Sequence, residues 1–275
     1  MSVALTFLGR VLNKIDERCT LVIPACCGIV TAGAYPTTSY NMPVLGSTFA
    51  ASPAFASGVA AVRDMRGENG QVICWAGDGG TYDIGMAALS AAAERNEHII
   101  YICYDNEIYG NTGGQRSSAT PVGAKTTTTP FGKHDRKKDI VAIMAAHGIP
   151  YAATVSIAHP EDFERKVRTA LRKKGMRFLL IHSPCPTGWK SEPADTIQLV
   201  RFAIDSGLFR VYEVFDGERY RINARPTGVD PMEYYKRQRR FPEKNIDIER
   251  VKESCAHEFA RLERLAEVWP AREDD

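Results

Sequence analysis

The stretch Gln71-Val-Ile-Cys-Trp-Ala-Gly-Asp-Gly-Gly-Thr81 decides how the rest of the chain is read. Val72 to Ala76 is a short apolar run, as in a buried strand. It stops at Gly77-Asp78-Gly79-Gly80, where glycines permit positive φ and close backbone approach. From Thr81 the period changes. Ile84, Ala87, Ala88, Leu89, Ala91 and Ala92 fall on one side of a helix rich in strong helix formers. Ile99 to Tyr104 is a second apolar run, ending at Asp105-Asn106-Glu107. Strand, glycine turn, helix, strand predicts an α/β fold, a mostly parallel sheet with helices on both faces.

Ligands of such sheets sit at the carboxyl ends of the strands, and Asp78 and Asn106 each follow one. The glycine turn opens a helix whose N-terminus suits a phosphate. Asp78 and Asn106 offer hard oxygen atoms, which Mg²⁺ combines with phosphate oxygens. A diphosphate bridged to Mg²⁺ is the simplest tenant. The turn is not a Walker A loop, and Tyr82 spoils a complete Gly-x-Gly-x-x-Gly.

Outward from this unit, residues 3–16 read as a helix, Leu21 to Pro24 as a strand and Ala50 to Val62 as a small-residue helix. Residues 110–133 form a long polar loop, a length that is usually functional or disordered. Asp139 to His147 and Pro160 to Lys173 read as helices, Ala152 to Val155 as a strand, and Phe178 to His182 as the last strand of the sheet. A stiff loop, Ser183-Pro-Cys-Pro-Thr-Gly-Trp189, follows. Val211 to Phe215 and Arg219 to Ile222 predict a hairpin turning on Asp216-Gly217. Ile246 to Trp269 carries Ile248, Val251, Cys255, Phe259, Leu262, Leu265 and Trp269 at helical spacing. The expected division is residues 1–200 as one ligand-binding domain, with 201–275 as an extension packing on it or on a partner subunit.

The 275 residues are 44% hydrophobic and 25% charged, ordinary for a globular protein. No apolar stretch reaches the roughly 18 residues that cross a bilayer, and the first residues lack a basic leader, so a cytoplasmic location with no membrane partner is expected. A net charge of +2 gives no case for nucleic acid. Basic residues cluster at Lys133 to Lys138, Arg165 to Arg177 and Lys236 to Arg240. They are read as solvated faces or, more sharply, as docking sites for an acidic electron carrier. Seven cysteines, an odd number, do not form a disulfide framework. Cys74 and Cys103 fall inside predicted strands and read as small core residues.

Gly77-Asp78-Gly79 followed after 26 residues by Asn106 resembles the thiamine diphosphate–magnesium motif of thiamine-dependent enzymes. Tyr104-Asp-Asn-Glu-Ile-Tyr-Gly-Asn-Thr-Gly-Gly-Gln-Arg-Ser-Ser-Ala-Thr-Pro121, then Thr126-Thr-Thr-Thr-Pro130, is more specific. It resembles the β subunit of pyruvate:ferredoxin oxidoreductase and its 2-oxoacid:ferredoxin relatives, over about residues 21–245. The resemblance implies a thiamine diphosphate-binding fold. It implies Mg²⁺ held by Asp78, Asn106 and the carbonyl of Ile108, with Gly77, Gly79 and Gly80 along the diphosphate. Asn106, Glu107, Ile108, Tyr109, Gly110 and Asn111 would wrap the cofactor, and the Asn111 amide would stabilise an oxyanion near the reacting carbon. Thr112 and Arg116 are weaker candidates for that pocket, and His182, at a strand end beside the site, reads as ordinary structure.

The family also holds a [4Fe–4S] cluster on four cysteines. Val22-Ile-Pro-Ala-Cys-Cys27 matches the setting of the third, with Cys27 preferred over Cys26, and Cys185 matches the fourth. A Cys-x-x-Cys-Gly ahead of the first helix is not found. The expectation is a start truncated behind that pair, with loss of the cluster as the competing explanation. The implied activity is oxidation of a 2-oxoacid with coenzyme A to acyl-CoA and carbon dioxide, electrons passing to ferredoxin. Pyruvate is the default substrate, with phenylglyoxylate, oxalate and branched 2-oxoacids as others. Gly110 and Gly114 are candidates for reshaping the pocket. An α subunit would supply the activating carboxylate, with γ and δ subunits beside it. Alternatives are a non-oxidative decarboxylase or carboligase subunit, and a non-catalytic assembly subunit.

Overall fold

Eight strands in one sheet organise the molecule. They are β1 (Cys19–Pro24), β2 (Val44–Ser47), β3 (Gln71–Gly77), β4 (Ile100–Asp105), β5 (Tyr151–Ser156), β6 (Arg177–His182), β7 (Val211–Phe215) and β8 (Arg219–Ala224). Their order in space is β2-β1-β3-β4-β6-β5-β7-β8. The first six are parallel, and β7 and β8 join antiparallel. The structure is a computed structural model and describes residues 1–15, 17–33, 36–242 and 246–275.

Parallel strands covered on both faces should be apolar throughout. Accordingly β4, β5 and β6 are buried at every position, and β3 at every position after Gln71. Cys74 and Cys103 are fully buried core residues, as expected of small apolar side chains within strands. Helix Ser52–Met65 lays Ala56 and Ala60 against the sheet, and its small side chains allow the close approach. Asp139 caps helix Ile140–Ala145 by accepting from the Ala142 N–H.

Three expectations need correction. Phe178 to His182 is not the last strand of the sheet, because the 211–224 hairpin adds two more beyond β5. Its turn places both Asp216 and Gly217 at positive φ. The helix after the glycines does not begin regularly at Thr81. Gly79–Asp83 is a π-helical turn, and the α-helix proper is Met86–Glu94. Ile84 is 53% exposed, and the inward face is Leu89, Ala92 and Ala93. In helix Ile248–Val268, Leu262 alone is fully buried, and Val251, Cys255 and Phe259 are only half-covered.

Residue 200 lies inside helix Thr196–Asp205, and the segment beyond it contributes β7 and β8 to the common sheet. Among the described residues, no helix is long and apolar enough to cross a membrane.

Candidate cofactor site

The loops leaving β1, β3 and β4 meet at the carboxyl edge of the sheet. They enclose a cleft of about 350 Å³ lined by Cys26 and Cys27, by Gly77 to Gly80, and by Asn106 and Ile108 to Thr112, among others. The three glycines of the β3 loop are not at positive φ, contrary to one of the two roles foreseen for them. Each instead admits a ring. A Cβ on Gly79 would lie 2.4 Å from the Tyr109 ring, one on Gly80 3.1 Å from Phe49, and one on Gly77 3.2 Å from the Tyr104 hydroxyl. Phe49 and Tyr109 meet edge to face at 6.1 Å, and the Tyr109 hydroxyl donates to Asp83 Oδ2 at 3.0 Å. Close approach is therefore the reason glycine is needed here.

Asp78, Asn106 and Ile108 converge. The Asn106 amide atom that faces inward lies 2.7 Å from Asp78 Oδ1 and 2.8 Å from the Ile108 carbonyl oxygen. As an NH₂ it donates to both. As an oxygen it completes a trio of hard oxygen atoms, and an octahedron of 2.0–2.1 Å bonds has edges of about 2.9 Å, close to these separations. Asp78 is almost fully buried, and Ser117 Oγ donates to its Oδ2. Burial and the nearby Asp105 charge push its carboxyl well above the usual range, with the Ser117 bond and Lys137 pulling the other way. A buried carboxyl so raised is one that a cation would stabilise as carboxylate. The residues present thus fit a divalent metal.

Glu107, between Asn106 and Ile108, is the member of the 106–111 run that does not line the cleft. Its φ is +60°, and its carboxylate is turned behind the loop. There it accepts from Lys137 Nζ at 3.2 Å, from the Tyr234 hydroxyl at 3.2 Å, and from Arg240. Lys137 also pairs with Asp105 at 2.6 Å, and Asp105 accepts from the Tyr82 hydroxyl at 2.9 Å. Burial would raise the Glu107 carboxyl, but Lys137, Arg240 and His182 hold it at about 2. His182 sits 4.0 Å from that carboxylate, and burial pushes its imidazole down to about 4, so it is neutral structure near pH 7.

Nothing in the sequence reading singled out Lys137, Tyr234, Arg240 or Ser117 for the site. The basic clusters were read as surface, and the structure splits them. Lys133 is buried and donates to the carbonyls of Ser118 and Thr120, and Lys166 is buried against Asp162 at 2.7 Å. Arg177 and Arg240 are buried too, leaving Arg136, Lys138, Arg172, Lys174, Lys236 and Arg239 exposed. The clusters are consumed by internal carboxylates and carbonyls, so they do not form three continuous basic faces.

At the outer end of the cleft, Asn111 Oδ1 accepts from Cys27 Sγ at 3.6 Å, which leaves the amide NH₂ directed elsewhere. Thr112 lines the cleft but is tied to Gln115, while Arg116 faces Asp135 at 3.7 Å and is off the cleft wall. A Cβ on Gly110 would meet Cys27 Sγ at 3.5 Å, and one on Gly114 would meet Ile108 Cδ1 at 3.7 Å, both ordinary van der Waals contacts, while the φ of +85° at Gly114 itself favours glycine. The loop 110–133 is folded onto the site through Ser117, Ser118 and Thr120. Cys27 and Cys185 are half-exposed neighbours. Burial raises the Cys27 thiol and Cys185 adds to the effect, while burial lowers the nearby Met1 amine, with the two thiols opposing that shift. Among the described residues, no group of three or more His, Cys, Asp or Glu side chains has metal-binding geometry.

Comparisons with known proteins agree with this architecture. Residues 26–182 match the family described as thiamine pyrophosphate enzyme, C-terminal TPP binding domain. The chain is 48% identical to a pyruvate synthase subunit PorB of Methanothermobacter thermautotrophicus, over 84% of this chain and 83% of that one. It is 42% identical to a ketoisovalerate oxidoreductase subunit VorB of Pyrococcus abyssi, over 95% of this chain and 89% of that one. Among solved structures, a 2-oxoglutarate:ferredoxin oxidoreductase from Magnetococcus marinus superposes with a TM-score of 0.57, covering 72% of this chain and 74% of its own. At 20% identity that likeness speaks to fold alone.

Proposed function

We propose, starting from the fact that this chain belongs to the PorB/VorB family of 2-oxoacid:ferredoxin oxidoreductase subunits, that it is the thiamine diphosphate-binding subunit of such an enzyme. Its relatives include both a pyruvate synthase and a ketoisovalerate oxidoreductase subunit, so we assign the substrate as pyruvate or a branched 2-oxoacid. Coenzyme A would be the acyl acceptor and ferredoxin the electron acceptor. The observation that carries the reading is the convergence of Asp78 Oδ1, the Asn106 side-chain amide and the Ile108 carbonyl, the amide lying 2.7 and 2.8 Å from the other two, beside a glycine corner.

In this reading Asp78, Asn106 and the Ile108 carbonyl hold Mg²⁺, while Gly77, Gly79 and Gly80 line the diphosphate. When bound, thiamine diphosphate supplies a carbon nucleophile and an electron sink for decarboxylation. The chain supplies position and polarity. Ile108, nearly fully buried in the cleft wall, gives the cofactor an apolar support. The Asn111 NH₂, with its oxygen engaged by Cys27, can donate to the substrate's developing oxyanion. Cys27, Tyr109 and Gly110 complete the proposed cofactor-contacting set, while Glu107, expected there from the resemblance, does not line the cleft and holds the loop from behind.

Cys27 and Cys185 are proposed as thiolates for a [4Fe–4S] cluster. A four-thiolate site needs two more, which the described residues do not bring to this corner. The partners proposed are an α subunit completing the active site, γ and δ subunits, and ferredoxin. The division of residues 1–200 from an extension is kept as a functional proposal only, since the sheet runs across it.

Calorimetry of the assembled subunits with thiamine diphosphate tests the reading. Binding that requires Mg²⁺ and is lost in Asp78→Asn supports it. Equal binding with and without Mg²⁺, or in the variant, overturns it. Reduction of ferredoxin on addition of a 2-oxoacid and coenzyme A then separates oxidation from simple decarboxylation.

A further inference from the structure

We propose that Arg240 is a positioning residue that fixes the metal-facing loop 106–108 from behind, which makes residues 231–241 part of the cofactor site. The inference rests on the reading of Asp78, Asn106 and Ile108 as metal ligands. Arg240 lies outside residues 26–182, the span matched by the thiamine family, and outside the domain expected from sequence.

The loop has a difficult geometric task. The side chain of Asn106 and the carbonyl of Ile108, two residues apart, must both face the cleft. Glu107 makes this possible with a φ of +60°, an uncommon conformation for a residue with a side chain. Such a conformation persists only where its surroundings impose it. Trp189 Nε1 donates to the Asn106 carbonyl at 2.7 Å, and Thr120 Oγ1 donates to the Glu107 carbonyl at 2.7 Å. Arg240 reaches both sides of this arrangement. Its guanidinium pairs with the Glu107 carboxylate, and it stacks 4.1 Å from the centre of the Trp189 ring.

Arg240 is itself fixed. Its Nε donates to Gln238 Oε1 at 2.9 Å, its carbonyl accepts from the Lys125 N–H at 2.8 Å, and its side chain is 98% covered. A planar cation can pair with a carboxylate and lie on an indole at once, whereas a lysine can do only the first well. Lys137 holds the same carboxylate but touches no indole. Tyr234 shares this bridging place, its hydroxyl donating to Glu107 Oε2 at 3.2 Å and its ring meeting Trp189 edge to face at 5.9 Å, but Arg240 is the one of the two that brings a charge to the Glu107 carboxylate.

The test is calorimetry of Mg²⁺ with saturating thiamine diphosphate on the assembled subunits, comparing wild type, Arg240→Met, Arg240→Lys and Asp78→Asn. Groups that orient metal ligands typically contribute 10–100-fold in metal affinity. Arg240→Met should therefore weaken Mg²⁺ about 10–100-fold, with Arg240→Lys recovering part of the loss. A residue serving stability alone would lower the melting temperature of both variants while leaving the affinity of the folded protein unchanged. Wild-type affinity in Arg240→Met overturns the proposal. Should that variant not fold, Arg240→Lys decides it, several-fold weakening in support and wild-type affinity against. Absence of Mg²⁺-dependent binding in wild type would instead remove the functional reading on which the proposal rests.

Discussion

Two corners of one cleft are built to different degrees. At the oxygen corner, Asp78 and Ile108, from two strand ends, each lie within 2.8 Å of the Asn106 amide, backed by a buried network of Ser117, Glu107, Lys137 and Arg240. At the thiol corner, Cys27 and Cys185 are half-buried at the edge of the core, with one long hydrogen bond from Cys27 Sγ to Asn111 and one from the Gly188 N–H to Cys185 Sγ at 3.3 Å. A site that must place a hard cation against a diphosphate needs its oxygens fixed beforehand, whereas thiolates can be organised by the cluster they bind. Damage to the front of the oxygen corner should therefore remove Mg²⁺-dependent cofactor binding and damage to its back should cost stability, whereas damage to the thiol corner should show only in the fully assembled enzyme.

The largest expected effect is on Asp78. Asp78→Asn removes the charge that a divalent ion would neutralise, so Mg²⁺-dependent binding of thiamine diphosphate should become undetectable by calorimetry. The same change relieves a buried carboxyl whose ionised form is disfavoured. The melting temperature without ligand should consequently stay level or rise. A variant that still binds with wild-type affinity would erase the contrast between the two corners.

Next in size is Glu107. Breaking a buried ion pair from one side typically costs about 3–5 kcal/mol, because the partner charge is left uncompensated. Glu107→Gln leaves Arg240 in that position, while Lys137 keeps Asp105 at 2.6 Å, and urea unfolding should register a loss of this order. The sign of the pH dependence is fixed as well. The carboxyl is held at about 2 in the folded chain against 4.5 ordinarily. Its stabilisation is thus complete above pH 4.5 and is lost as pH falls towards 2, by about 3 kcal/mol in all. The variant should show a shallower loss of stability across that window. An identical acid profile would mean that the network behind the loop carries no stability.

The front of this corner was legible in the sequence and the back was not. Asp78 and Asn106 could be placed because each ends an apolar run, and strand ends are where such sheets bind ligands. Lys137 and Arg240 lie 30 and 133 residues from Glu107 in the chain. Runs of lysine and arginine look alike whether they face water or a buried carboxylate, so their role becomes visible only once the chain is folded. The hairpin was foreseen but not its membership of the sheet, since β8 is only half-buried along its length and gives a weak pattern. The misjudged face at Ile84 and Ala87 has a local cause. A π-helical turn over Gly79–Asp83 inserts a residue, and one residue turns a helix by about 100°.

Asn111, between the corners, should affect chemistry and not assembly. Losing one donor to a developing oxyanion typically costs about 10²–10³ in turnover. Asn111→Ala should show a loss of that order with ferredoxin as acceptor, at thiamine diphosphate affinity within about two-fold of wild type. Unchanged turnover would exclude its amide from the reaction.

The smallest effect is expected at Cys27. Its thiol is half-exposed, its contact with Asn111 Oδ1 is 3.6 Å long, and no described group of ligands converges on it. Substitutions away from buried or paired groups usually change stability by less than about 0.5 kcal/mol. Cys27→Ser keeps a donor near Asn111 and should leave the unfolding midpoint unaltered, as urea titration would show. In the assembled enzyme the same change should lower the iron content, if this thiolate is a cluster ligand. A loss of more than about 1 kcal/mol without any metal would mean that the thiol corner is as firmly built as the oxygen corner, since a loose contact of this kind has no other source for such an effect.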